Sequence, residues 1–166
     1  MKSESLPVSN DFPPVFDENA EILILGSLPS VASRRTGFYY MNPHNRFWGV
    51  LERIFGEPFS LLSREDKILA LKKHRIALYD VILNCSIRSS SDASVKDAEC
   101  TDIRGILEKS SIKKILLNGQ KAHSLFLRFY PDLAPIAYRL PSTSPANAKV
   151  SFEELTRVWR EALLPL

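Results

Sequence analysis

Three stretches of this chain gather residue types suited to a flat, polar ligand. The first, Gly26-Ser-Leu-Pro-Ser-Val-Ala-Ser33, follows directly on a short apolar run. A glycine there permits a sharp turn and the close approach of a ligand, and Pro29 stiffens the turn. Ser27, Ser30 and Ser33 offer hydroxyls and neighbouring amides to an anion or a base edge, although solvated serines in a plain turn meet the same spacing. The second stretch, Gly37-Phe-Tyr-Tyr-Met-Asn-Pro-His-Asn-Arg-Phe-Trp48, sets aromatic rings beside two amides, Asn42 and Asn45, and a histidine, His44. Stacking faces next to edge-reading amides suit recognition of a heterocycle. Phe38, Phe47 and Trp48 are read as core, and Tyr39 and Tyr40 as candidates for the ligand face. The third, Leu140-Pro-Ser-Thr-Ser-Pro-Ala-Asn147, is a rigid run of small residues. It could press on a nucleic-acid strand through main-chain amides and serine hydroxyls, or be a simple proline-rich connection.

Other chemistries find less support. His44, His74 and His123 share no metal-ligand spacing, and Cys85 and Cys100 are too few for a thiolate cluster or disulfide framework. No metal and no cofactor is expected. The Gly-Lys-Ser/Thr ending of a phosphate loop, Gly-x-Gly-x-x-Gly and the Gly-x-Ser-x-Gly elbow are all missing.

The elements that must position these stretches alternate. Residues 1–20 carry Pro7, Pro13 and Pro14 and read as an irregular arm, with residues 21–166 as one domain. Strands are expected at 21–25, 76–83, 113–118 and 136–140, and helices at 45–55, 63–73, 101–108, 120–130 and 151–161. Residues 26–45 read as irregular and residues 84–99 as a long, serine-rich surface loop. Alternation of this kind predicts an α/β sandwich around a mostly parallel sheet, whose ligand crevice lies beyond the strands' carboxyl ends. Three loops that leave strand ends are chemically unusual: Gly26–Asn45, Asn118–Gly119 and Pro141–Asn147.

The 166 residues are 45% hydrophobic and 25% charged, with a net charge of +3. That balance is too mild to identify a nucleic-acid binder, although Arg34, Arg35, Arg46 and Arg53 could form a local basic face. No signal core or membrane-length apolar run occurs, so a soluble protein of the cytoplasm or nucleoid is expected.

In this order, the segments resemble the uracil-DNA glycosylase superfamily. Gly26–Ser33, Thr36-Gly-Phe38 and Pro43-x-Asn-Arg-Phe-Trp48 are similar to the first motif of its mismatch-specific uracil/thymine glycosylases, and Leu140–Asn147 falls where the second motif stands. Taken with Phe-Tyr-Tyr, Asn-Gly and Pro-Ser-Thr-Ser-Pro-Ala, the likeness is closest to the hypoxanthine-DNA glycosylase family and spans residues 21–160.

The resemblance implies a three-layer α/β/α sandwich with a central, mostly parallel four-stranded sheet. It also implies a monofunctional, monomeric glycosylase acting on double-stranded DNA with a damaged or mispaired base. Hypoxanthine would leave by base flipping and water attack. Asn45, with Ser27 and Ser30, would carry catalysis. Gly26, Leu28, Pro29, Tyr40, Asn42, Asn118 and Gly119 would hold the base, with Tyr40 stacking and Asn118 reading its edge. His44, Ser142, Thr143, Ser144, Pro145, Ala146 and Asn147 would meet the DNA backbone. Leu28 stands where many relatives carry Asp or Asn, which argues against strong uracil excision. Removal of uracil or thymine from G mispairs, or silent DNA binding, are the alternatives.

Overall fold

A computed structural model describes residues 6–9, 12–28, 30–87 and 95–164. The elements run β1 (Leu6–Ser9), β2 (Ile22–Gly26), α1 (Val31–Thr36), α2 (Phe47–Phe55), α3 (Arg64–Lys73), β3 (Ile76–Asp80) and β4 (Ile82–Ile87). They continue with β5 (Val95–Cys100), α4 (Ile103–Glu108), β6 (Lys114–Asn118), α5 (Gln120–Phe129), β7 (Ala137–Leu140) and α6 (Phe152–Leu163).

The central sheet has the order β3-β2-β6-β7, and every pair in it is parallel. β2 is an unbroken apolar run because both of its faces are covered. Ile22 and Ile24 face one core with Ile76, Leu78 and Leu116, under Leu51 of α2, Leu71 of α3 and Trp159 of α6. Leu23 and Leu25 face the other with Ala77, Ile115 and Leu117, under Ile103 of α4 and Phe126 of α5. These are the three layers expected from the sequence. Trp159 is fully buried, and truncating such a residue costs about 3–5 kcal/mol.

Several local expectations give way. The arm is not wholly irregular, since β1 pairs antiparallel with β4 and Val15 bridges to Leu78. The strand expected over 76–83 is two strands, because the backbone turns at Val81 and leaves the parallel sheet after Asp80. β4 then pairs with β5, so the expected loop over 84–99 is in large part an antiparallel ladder, and a second sheet, β1-β4-β5, stands beside the first. Residues 88–94 of that expected loop lie outside the described residues. The stretch expected to be irregular after Gly26 contains α1, capped by Ser30, whose hydroxyl accepts from the Ser33 amide. The helix expected over 101–108 starts later, at Ile103, capped by Asp102, whose carboxylate accepts from the Gly105 amide.

Candidate active site at the carboxyl edge of the sheet

β2, β3 and β6 end side by side on Gly26, Asp80 and Asn118, with Gly26 paired to Asp80 across the ladder. Gly26 has no room for a side chain: a Cβ there would lie 2.6 Å from Asp80 Oδ1 and 2.9 Å from the Tyr40 hydroxyl. Its missing side chain therefore admits two neighbouring polar groups, besides permitting a turn.

Tyr40 reaches this floor from the second stretch. It takes a left-handed backbone, φ 54°, which is uncommon outside glycine and is tolerated only where surroundings hold it. Ser33 supplies that hold. This buried serine accepts the Gly37 and Phe38 amides on its carbonyl and the Met41 amide on its hydroxyl, so it ties both ends of the turn. The Tyr40 ring stacks on Phe47 at 4.1 Å. Its hydroxyl is buried, with the Asn118 amide beside it and no other hydrogen-bond partner among the described residues. Burial above all, then the Asp80 charge, raises its pKa, so the phenol stays protonated. Tyr39, by contrast, is 2% exposed and donates its hydroxyl to the Pro13 carbonyl. Tyr39 is core, and Tyr40 lies at the strand edge beside Gly26.

The third stretch closes the edge. Gly119, at φ 100°, donates its amide to the Leu140 carbonyl, and a Cβ on it would lie 3.0 Å from Ser142 Cβ. Asn118 uses both ends of its amide on Thr143: Nδ2 donates to Oγ1 and Oδ1 accepts from the Thr143 amide, each at 3.0 Å. The Arg46 amide donates to the Thr143 carbonyl, and its guanidinium donates to the Asn147 and Val150 carbonyls. The Trp159 indole donates to the Pro141 carbonyl. Thus the aromatic segment, the Asn118 strand end and the serine-rich loop meet at one edge.

Individual candidates fall out unequally. Asn45 is half-buried, and its Oδ1 accepts from the Phe47 amide, which leaves Nδ2 for other work. Asn42 accepts the His44 amide on its side chain and the Asn45 amide on its carbonyl, which shapes the turn, and the His44 side chain is exposed. Ser30 is an exposed helix cap whose hydroxyl also donates to Ser33. Ser27 is half-buried, and Leu28 packs towards Ile82 and Ala98. Pro29 lies outside the described residues.

Thr143 is expected from the sequence among the DNA contacts. It is 0% exposed with amide, carbonyl and hydroxyl all engaged, so it faces inward. Pro145 and Ala146 form the exposed tip of the loop, with Ser142, Ser144 and Asn147 half-buried around it. Arg46 also turns inward and drops out of the expected basic face, whereas Arg34, Arg35 and Arg53 remain exposed. Among the described residues, no group of three or more His, Cys, Asp or Glu could hold a metal ion.

The family model for the uracil DNA glycosylase superfamily matches residues 13–163. The chain belongs to that superfamily. A hypoxanthine DNA glycosylase of Methanosarcina acetivorans is 40% identical over 148 residues, 87% of this chain and 91% of the relative. A hypoxanthine DNA glycosylase of Methanosarcina barkeri is 36% identical over 155 residues, 91% of this chain and 95% of the relative. A protein of Methanosarcina acetivorans assigned to the uracil DNA glycosylases, solved in solution, superposes with a TM-score of 0.77 at 36% identity, covering 97% of this chain and 98% of that one.

Within this superfamily member, two site residues lie beyond the reach of the sequence motifs. Asp80 is 3% exposed and its carboxylate lies against Gly26. An acidic residue ending an apolar run over 76–79 is the available signal, and it is masked when the strand is extended past it. Thr101, buried, donates its hydroxyl to the Asp80 carbonyl at 2.7 Å and so fixes where that strand ends. No sequence signal points to it, because the hydrogen bond spans 21 positions.

Proposed function

We propose that this chain is a monofunctional DNA glycosylase that hydrolyses the N-glycosidic bond of deoxyinosine in double-stranded DNA. The observation that carries the reading is the meeting of Tyr40, the Asn45 segment and the Leu140–Asn147 loop at the carboxyl edge of the sheet, in a chain whose relatives are hypoxanthine DNA glycosylases.

The nucleotide is extruded from the duplex, which costs a few kcal/mol and least at a mispair. Tyr40, held by Ser33 and backed by Phe47, presents the aromatic surface beside the base. Asn45 Nδ2 is the donor left over after its oxygen has accepted from the Phe47 amide, and it orients water or the base. Amide donors aimed at the departing purine stabilise its developing negative charge. The C1′–N9 bond breaks and its electron pair leaves with hypoxanthine. Water oxygen bonds to C1′ and gives up a proton, which leaves an abasic site and the neutral base. The exposed Pro145–Ala146 tip, with Ser142 and Ser144, meets the phosphate backbone. None of the three segments contains a lysine that could form a Schiff base, so the strand stays intact. The protein works as a monomer inside the cell.

The superfamily's own name favours uracil as the second candidate. Leu28, packed towards Ile82, supplies no group to polarise water at that position, which weighs against it. Duplexes containing inosine, uracil, xanthine or a G:T mispair, treated with enzyme and then alkali and resolved on a gel, decide between them. Alkali-dependent cleavage is expected first at inosine. Intact strands for every lesion at high enzyme excess would overturn the reading, and salt-sensitive binding without base release would mark a silent DNA-binding member.

A further inference from the structure

Thr143 sits at the centre of the serine-rich loop, yet nothing outside the protein can touch it. Its amide and hydroxyl pair with the two ends of the Asn118 amide, and its carbonyl takes the Arg46 amide. Asn118 in turn faces the buried Tyr40 hydroxyl, and Arg46 directly follows Asn45. The Arg46 guanidinium spends its charge on two main-chain carbonyls of the same loop, those of Asn147 and Val150. One buried residue therefore joins the loop whose outer surface is free to meet DNA to Asn118, through its hydroxyl and amide, and to Arg46, through its carbonyl.

We propose that Thr143 is a positioning residue: it holds the DNA-facing loop in register with Asn118 and the Asn45–Arg46 segment, so that gripping the backbone places the base. The inference rests on the reading of the chain as a DNA glycosylase. Its physical basis is the directionality of the Asn118 amide. With Oγ1 present, Nδ2 and Oδ1 are both spoken for and the side chain has one orientation. Without Oγ1, the half-buried Nδ2 loses its partner, the Asn118 amide is held through Oδ1 alone, and the loop keeps only its main-chain ties.

The test compares the wild type with Thr143→Val, which keeps the shape and removes the hydroxyl, Thr143→Ser, which restores a hydroxyl, and Asn118→Ala. Three readouts are needed: single-turnover excision from an inosine duplex, affinity for undamaged duplex over a range of salt, and melting temperature. T143V is expected to slow excision by about ten- to a hundredfold, the scale of a misplaced reacting group. Its affinity for undamaged DNA and its salt slope should match the wild type, since every group that meets phosphate is still in place. T143S should recover most of the rate. The T143V/N118A double variant should be no slower than the slower single, because both changes break one interaction.

A folded T143V that excises at the wild-type rate overturns the inference. So does weaker binding to undamaged DNA with a shallower salt slope, which would make Thr143 a phosphate-binding residue. Rates that multiply in the double variant overturn it as well. If T143V does not fold, Thr143→Ala, which removes the same hydroxyl with a smaller side chain, decides in its place by the same three readouts. A wild-type protein that releases no base from any duplex overturns the functional reading and this inference with it, whereas an active wild type with an unchanged T143V overturns this inference alone.

Discussion

Asn45 shows how one side chain divides its labour. Its Oδ1 accepts from the Phe47 amide at 2.9 Å, a local turn bond two residues on, while Nδ2 carries the proposed chemistry. The two roles separate by substitution. Asn45→Asp keeps an acceptor for the Phe47 amide but has no N–H, so its stability is expected within about 0.5 kcal/mol of the wild type, as for substitutions that keep their key interactions. Its excision rate is expected to fall about a hundredfold or more, the usual consequence of removing one donor aimed at developing charge. Asn45→Ala loses both, and adds a stability cost of about 1 kcal/mol for the lost hydrogen bond. Excision kinetics and thermal melts on the two variants check this. An N45D variant that excises normally removes Asn45 from the chemistry and leaves it a turn-forming residue.

At the scale of elements, the strands and helices that bury apolar stripes are legible in the sequence, and those that answer to distant partners are not. β2 and β6 announce themselves as apolar runs between breakers, and α3 announces its start with Ser63, whose hydroxyl accepts from the Asp66 amide. β4 and β5 read in sequence as a strand extension and a loop because their stability comes from pairing with each other and with β1, which local composition does not record.

The end of α3 carries an element-scale prediction. Glu57, in the turn after α2, accepts from Lys73 Nζ at 2.9 Å and His74 Nε2 at 2.8 Å, and these bonds hold its carboxyl below its ordinary value of 4.5. A carboxyl lowered in the folded state contributes stability that is full above its unfolded pKa and is lost as pH falls through its folded one. The stability gap between wild type and Glu57→Gln should therefore be constant above pH 4.5 and shrink in more acid solution. Its size stays under about 1 kcal/mol, because the Lys73 side chain is largely exposed. Denaturant melts across pH measure it, and a gap that persists undiminished in acid would show that the ionised carboxylate is not what Lys73 and His74 hold.

For the molecule as a whole, residue type locates the site's segments but not their inner wiring. Tyr40, Asn118 and the Leu140–Asn147 loop stand out in the sequence, and all lie at the one edge where parallel strands end. Which of their groups face inward is illegible there: Thr143 and Arg46 look like DNA contacts in sequence, and only the fold turns their polar atoms onto Asn118 and the carbonyls of the loop. That wiring changes where the positive field must come from. With Arg46 consumed internally, Arg34 and Arg35, exposed on the helix between the Gly26–Ser30 turn and Tyr40, are the cations nearest in sequence to the site on that side. In a protein with a net charge of only +3, two such cations are a large share of the excess. Arg34→Gln and Arg35→Gln, each alone, are expected to weaken binding to undamaged and lesion-bearing duplex by the same factor. Each should also lower the salt slope by about 0.9 for every phosphate that the arginine neutralises. Single-turnover excision at saturating enzyme should be unchanged, because neither residue touches the base. Titrations at several salt concentrations test this: an unchanged salt slope in both variants would mean that α1 faces away from the DNA, and that the backbone is gripped through the Pro145–Ala146 tip and its main-chain amides alone.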